Sequence, residues 1–167
     1  MTFSAYDITV PVFTRGFANL AAVLNKGLAH AEAEGIDPAD FVEARLVADM
    51  DPLRAQIQRA SDTAKACAAR LTGITPPSFL DEELSFADLQ ARIDKTVVFI
   101  QGVDAAAFAG AEDRPVVLRS RAGETQFVGR DYILQHALPN FFFHVTTAYA
   151  ILRHKGVAVG KRDYLGF

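Results

Sequence analysis

One cysteine, Cys67, stands among 167 residues, so no internal disulfide can form, and a reducing cytoplasm is the expected compartment. No apolar run reaches the roughly 18 residues that a membrane span needs, so no membrane role is expected. The opening residues, Met1-Thr-Phe-Ser-Ala-Tyr-Asp7, lack the basic start and apolar stretch of an export signal. Lys and Arg number 17 against 20 Asp and Glu, a net charge of −3, and they are spread thinly. Without a basic cluster, nucleic acid is not an expected partner. Internal repeats, linkers, a Gly-x-Ser-x-Gly elbow and paired-cysteine metal motifs are also missing. Gly156-Val-Ala-Val-Gly160-Lys161 is not a phosphate loop, because it is one residue short, follows a helix, and continues with Arg162 where Ser or Thr is required.

What is present is apolar and periodic. Half of the residues are hydrophobic and 13 are Phe, enough to fill the core of one domain over residues 1–167. Val10, Phe13, Phe17, Leu20, Leu24 and Leu28 follow helical spacing and predict a first helix over residues 4–34, ended by Gly35; Pro11 either lies inside it or delays its start. Asp37-Pro38 opens a short helical segment to about Leu46. Asp51 is the predicted N-cap of a second long helix with Pro52 as its first residue, an inner face of Leu53, Ile57, Ala60, Ala64, Cys67 and Leu71, and Gly73 at its end. Thr75-Pro76-Pro77 reads as an extended turn before the acidic Asp81-Glu82-Glu83. Ser85, with Asp88 three residues on, caps a third helix with the stripe Leu89, Ile93, Val97 and Ile100. Asp104 is placed to cap one further turn through Phe108. Val116-Val117-Leu118 and Gln126-Phe127-Val128, flanking Arg121-Ala122-Gly123-Glu124, predict a small hairpin that must pack on the helices. A fourth long helix follows over residues 129–156, with Pro139 expected to kink it near Gln135, and a tail to Phe167 draped on the surface. The fold class is therefore all-α, a four-helix bundle with a β-hairpin before the last long helix.

That last helix carries the candidate chemistry. It is apolar nearly all round, yet His136, Asn140 and His144 recur at steps of four, close to one helix face. Thr147 and Ala148 lie one turn beyond His144 and leave space that a large side chain would fill. One reading is an interior polar pocket for a small-molecule ligand; the other is a buried histidine hydrogen-bonded to a neighbouring helix. Gln56 lies on the apolar stripe of the second helix, and either faces His144 or points to water at the stripe's edge. His136 lines the same cavity mouth or sits on the surface, and Asp49 is a candidate for the rim. Val97-Val98-Phe99-Ile100 has more apolar surface than one core face buries, and a homodimer is expected.

The run from Leu138 to Val157 (Leu138-Pro-Asn-Phe-Phe-Phe-His144-Val-Thr-Thr-Ala-Tyr), with Gly160-Lys161-Arg-Asp-Tyr-Leu-Gly166, resembles an uncharacterised domain-of-unknown-function family of bacterial and fungal proteins. Ala44-Arg-Leu-Val-Ala-Asp-Met-Asp-Pro-Leu-Arg-Ala-Gln56 and Leu89-Gln-Ala-Arg-Ile-Asp-Lys-Thr96 extend the resemblance over nearly the whole chain. That family is grouped with the DinB/YfiT-like superfamily of proposed metal-dependent enzymes. The resemblance implies a four-helix bundle with a long crossover. It also implies a divalent metal held by one His on the second helix and a His-x-x-x-His pair on the fourth; some relatives are thiol-dependent transferases or isomerases. Here the matching positions read Gln56, Asn140 and His144, and neutral amides are poor ligands for zinc or nickel. No cofactor is expected beyond a degenerate metal site. Three functions follow. The first is a bundle that binds a small molecule or partner; the second, an enzyme with His144 as catalytic base beside Asn140 and Gln56; the third, a metalloenzyme with His144, His136 and Asp49 as unconventional ligands.

Overall fold

Prolines and glycines set the helix ends. The computed structural model describes residues 3–120 and 123–167. Helix α1 is Val10–Glu34, with Gly35 in the left-handed conformation (φ 66°) behind it. It starts six residues later than the predicted Ser4. Pro11 lacks an N–H and is tolerated only in a first turn, so the chain before it forms turns, with the Thr9 hydroxyl donating to the Ala5 carbonyl at 2.6 Å. Helix α2, Pro38–Val42, is capped by the Asp37 side chain and stops short of the predicted Leu46. Helix α3 is Leu53–Thr72, and all six predicted inner-face residues are fully buried. Its N-cap is Pro52, not the predicted Asp51; the Asp51 carboxylate instead pairs with Arg59 at 2.6 Å. Helix α4, Phe86–Gln101, begins with the Ser85–Asp88 capping box, and Asp104 caps the 3₁₀ turn Ala105–Phe108. A second 3₁₀ turn, Ala111–Asp113, leads to the hairpin.

Strands β1, Pro115–Ser120, and β2, Gly123–Val128, pair antiparallel from Pro115↔Val128 to Ser120↔Gly123. Gly123 and Glu124, predicted as loop, thus belong to a strand; the other predicted loop residues, Arg121 and Ala122, lie outside the described residues. The predicted fourth helix is three segments in succession: α5 (Gly129–Tyr132), a π turn (Ile133–Ala137) and α6 (Leu138–His154). Instead of a simple kink at Pro139, the Leu138 N–H reaches back five residues to the Ile133 carbonyl, so the wide turn joins the two helices just before the proline. Helix α7, Lys161–Leu165, ties the tail to α1: Arg15 and Asn19 donate to the Leu165 and Tyr164 carbonyls at 3.0 Å, and Lys26 pairs with Asp163.

The long helices form a square, with α1 packed on α4 and α6, and α3 packed on the same two. Directions follow from the contacts. Phe13 and Phe17 meet Phe141 while Gly27 faces Leu152, so α1 and α6 are parallel. Gln90 reaches the Ala21 carbonyl and Asn25 at 2.9 Å, and Phe86 lies against Gly27, so α1 and α4 are antiparallel. Asn140 meets Thr63 and His144 meets Gln56, so α3 and α6 are antiparallel. The order is up, down, down, up. The parallel pair α3 and α4 requires residues 73–85 to run back along the bundle as a strap, where the sequence predicts only a turn. Lys65 donates to the Pro77 carbonyl at 3.2 Å, and Gln58 to Glu83 at 2.8 Å, so the strap descends beside α3.

Candidate functional site

On α3 and α6 the apolar stripes face each other, and the polar residues embedded in them have to find one another. His144 is 8% exposed and Gln56 2%. Their side chains meet at 2.8 Å, His144 Nδ1 to Gln56 Oε1, and Gln56 Nε2 donates to the Asp51 carbonyl at 2.9 Å. A backbone carbonyl can only accept. It therefore orients the amide, turns Oε1 toward the imidazole, and requires His144 to carry its proton on Nδ1. Nε2 is left as a lone pair that meets no donor among the described residues and reaches solvent. The ring stays neutral. Burial, helped by the Arg59 charge and opposed by Asp51, lowers its pKa to about 4. Phe143, 55% exposed, stands edge-on to the ring at 5.2 Å, and the paired Asp51 and Arg59 lie near enough for their charges to act on it.

Asn140 does not join this pair. Its amide donates to Thr63 Oγ1 at 2.7 Å, two turns along α3 from Gln56, and the two contacts form separate rungs between the helices. Thr147 is buried and returns its hydroxyl to the Phe143 carbonyl at 2.8 Å, the usual intrahelical use of a threonine. A divalent metal needs several lone pairs aimed at one point. Here both atoms of the Gln56 amide are committed, to His144 and to Asp51, and Asn140 is turned to Thr63. The residues at the superfamily's metal positions do not fit a metal ion. Among the described residues no three His, Cys, Asp or Glu side chains gather elsewhere to hold one.

Neither of the other two candidates bonds to His144 among the described residues, and the three gather into no metal-holding group. Asp49 is exposed in the loop before α3. His136 projects from the π turn and stacks on Tyr132 (5.7 Å, 21°), in a cleft of about 310 Å³ beside the hairpin. His144, His136 and Asp49 therefore do not form the unconventional ligand set.

Sequence reasoning missed a second buried polar centre. Arg92, wholly buried on α4, donates to Ser61 (2.9 Å), the Leu80 carbonyl (3.1 Å), and Asp62, Asp81 and Glu83 (3.0 Å each). Burial alone would raise the Glu83 pKa, but hydrogen bonds from Gln58 and Arg92 outweigh it and hold the carboxyl below its ordinary value. The Phe79 ring lies under Lys65 (3.9 Å), Lys95 (4.5 Å) and Arg92 (5.3 Å). The signal was available. Arg92 occupies a stripe position next to Ile93, three residues after Leu89, and the acidic run lies just upstream. The centre clamps the strap, since three of its acceptors are strap residues.

The model of a domain of unknown function, DUF1993, matches residues 5–165. Among solved structures, a protein of Shewanella denitrificans described as a DinB family member superposes with a TM-score of 0.91 at 41% identity, over 97% of this chain and 92% of that one. No curated protein matches.

Proposed function

The chain belongs to the DUF1993 family, and on that premise we propose that it is a one-domain binding protein for a small polar molecule that donates a hydrogen bond to His144 Nε2. The observation that carries this reading is the fixed tautomer: Gln56, oriented by the Asp51 carbonyl, holds the Nδ1 proton and leaves Nε2 as an acceptor at the surface. Asp51, Arg59 and Phe143 around the ring offer a charged and an aromatic rim. Asn140 and Thr147 belong to the supporting rung and helix, outside direct contact. The experiment is a fragment screen by NMR on uniformly labelled protein. Hits that shift the His144 ring and vanish in His144→Phe and Gln56→Leu variants support the reading. Hits that bind both variants unchanged contradict it.

A second reading is an enzyme in which the same lone pair takes a proton. It ranks below binding because a base with a pKa of about 4 is weak at neutral pH. Its signature is a rate that rises through pH 4 and is flat above 5. We further propose a homodimer and a cytoplasmic location. A homodimer rests on Val98, 71% exposed on α4. The cytoplasm rests on the single buried thiol.

A further inference from the structure

The cleft that holds His136 has a composition of its own. It lies between α3, the π turn and the hairpin, has a volume of about 310 Å³, and is lined by Arg70, Leu118, Arg119, Thr125, Phe127 and His136. One wall is aromatic: His136 stacks on Tyr132, and the Phe127 ring is tilted at 6.3 Å from Tyr132 and 6.4 Å from His136. The charged groups that face it are two guanidiniums. Arg119 is tied to Glu124 at 2.7 Å. Arg70 is different: its Nη1 donates to the Tyr132 hydroxyl at 3.0 Å, its guanidinium lies 5.7 Å from that ring, and no carboxylate pairs with it among the described residues. Burial pushes the Tyr132 hydroxyl up to about 12, so this partner is neutral and leaves the Arg70 charge uncompensated. The cation is felt by His136, whose pKa burial lowers first and Arg70 lowers further.

We propose that this cleft is a second binding site, for a small planar organic anion whose carboxylate pairs with Arg70 while its ring packs on the wall of Phe127 and His136. A guanidinium presents parallel donors that match a carboxylate in two hydrogen bonds, and flat rings stack on aromatic walls at little entropic cost. A π turn displaces side chains from the regular helical ladder, and here it swings His136 toward the hairpin instead of toward His144. A neutral ligand of the same shape would gain the wall and lose the ion pair. An anion without a ring would gain the reverse.

The test uses the full chain, with benzoate, benzamide and inorganic phosphate as probes, followed through the histidine ring signals by NMR. Benzoate is expected to shift the His136 ring, to leave His144 unmoved, and to raise the His136 apparent pKa, because the bound carboxylate offsets Arg70. Glu124 still neutralises Arg119, and Tyr132 still stacks on the ring, so Arg70 is the charge the ligand offsets. Benzamide and phosphate are each expected to bind at least tenfold more weakly, and Arg70→Gln to weaken benzoate tenfold with unchanged circular dichroism. Benzamide matching benzoate would overturn the ion pair, and phosphate matching it would overturn the stacking. Should Arg70→Gln fail to fold, the unaltered chain still decides: benzoate affinity must fall between low and high salt, and a salt-independent affinity overturns the proposal.

Discussion

Residues that break the pattern around them are the ones with chemistry. His144 and Gln56 were legible because each is polar on an apolar helical stripe, and a polar group there must find a partner. What the stripe does not reveal is which polar groups pair. Asn140 is in register with His144 along α6, yet it meets Thr63. Arg92 is hard to see in the sequence because its stripe reads as apolar without it, and its acceptors come from a strap whose return path the sequence does not show. Two outcomes belong at this scale. The pKa of His144 falls from its ordinary 6.5 to about 4 on folding, so the unfolded chain binds more protons between those values. Stability is therefore full above about pH 6.5 and falls as the pH drops, by about 3 kcal/mol once pH 4 is passed. A His144→Phe variant is expected to lose that part of the pH dependence in denaturant titrations. Cys67, fully buried with its thiol pushed up to about 12 by desolvation, is expected to resist thiol reagents until the chain unfolds, as timed mass spectrometry would read.

At the scale of elements, caps and breakers were readable and connections were not. Ser85–Asp88, Asp104 and Gly35 do what local chemistry requires, because each interaction is complete within a few residues. Pro139 signalled a break in the last helix, but whether the chain kinks or widens into a π turn depends on what the hairpin packs against. The strap is held by a side chain outside its own sequence, and that gives a firm expectation. Arg92→Leu removes the buried cation of Glu83, leaving only the more distant and partly exposed Lys95 at 3.8 Å, and should destabilise by about 3 kcal/mol in chemical denaturation, well beyond the effect of an exposed pair such as Arg119–Glu124. Gly129 gives another. A Cβ there would overlap the Ala111 carbonyl oxygen, which is backbone and cannot rotate away. Gly129→Ala should therefore cost at least about 3 kcal/mol, the upper end of overpacking, with the loss centred on the junction of the 3₁₀ turn and α5.

For the whole molecule, composition and periodicity gave the all-α class and the number of long helices, since helical stripes are a local property. The up-down-down-up order emerges only from contacts between distant residues such as Gln90 with Asn25 and Phe141 with Phe13. That order sets α3 and α6 side by side and antiparallel, so that Gln56 meets His144 across 88 positions of sequence. The family likeness led to the same pair by naming the metal positions, and the committed amides explain why a metal does not suit them here. The most direct measurement of this arrangement is long-range ¹⁵N–¹H correlation of the histidine rings from pH 3 to 8. The expected result is a His144 ring that is neutral down to about pH 4, protonated on Nδ1, and released to a tautomer mixture in Gln56→Leu. A His144 ring that titrates near 6.5, or carries its proton on Nε2, would contradict it.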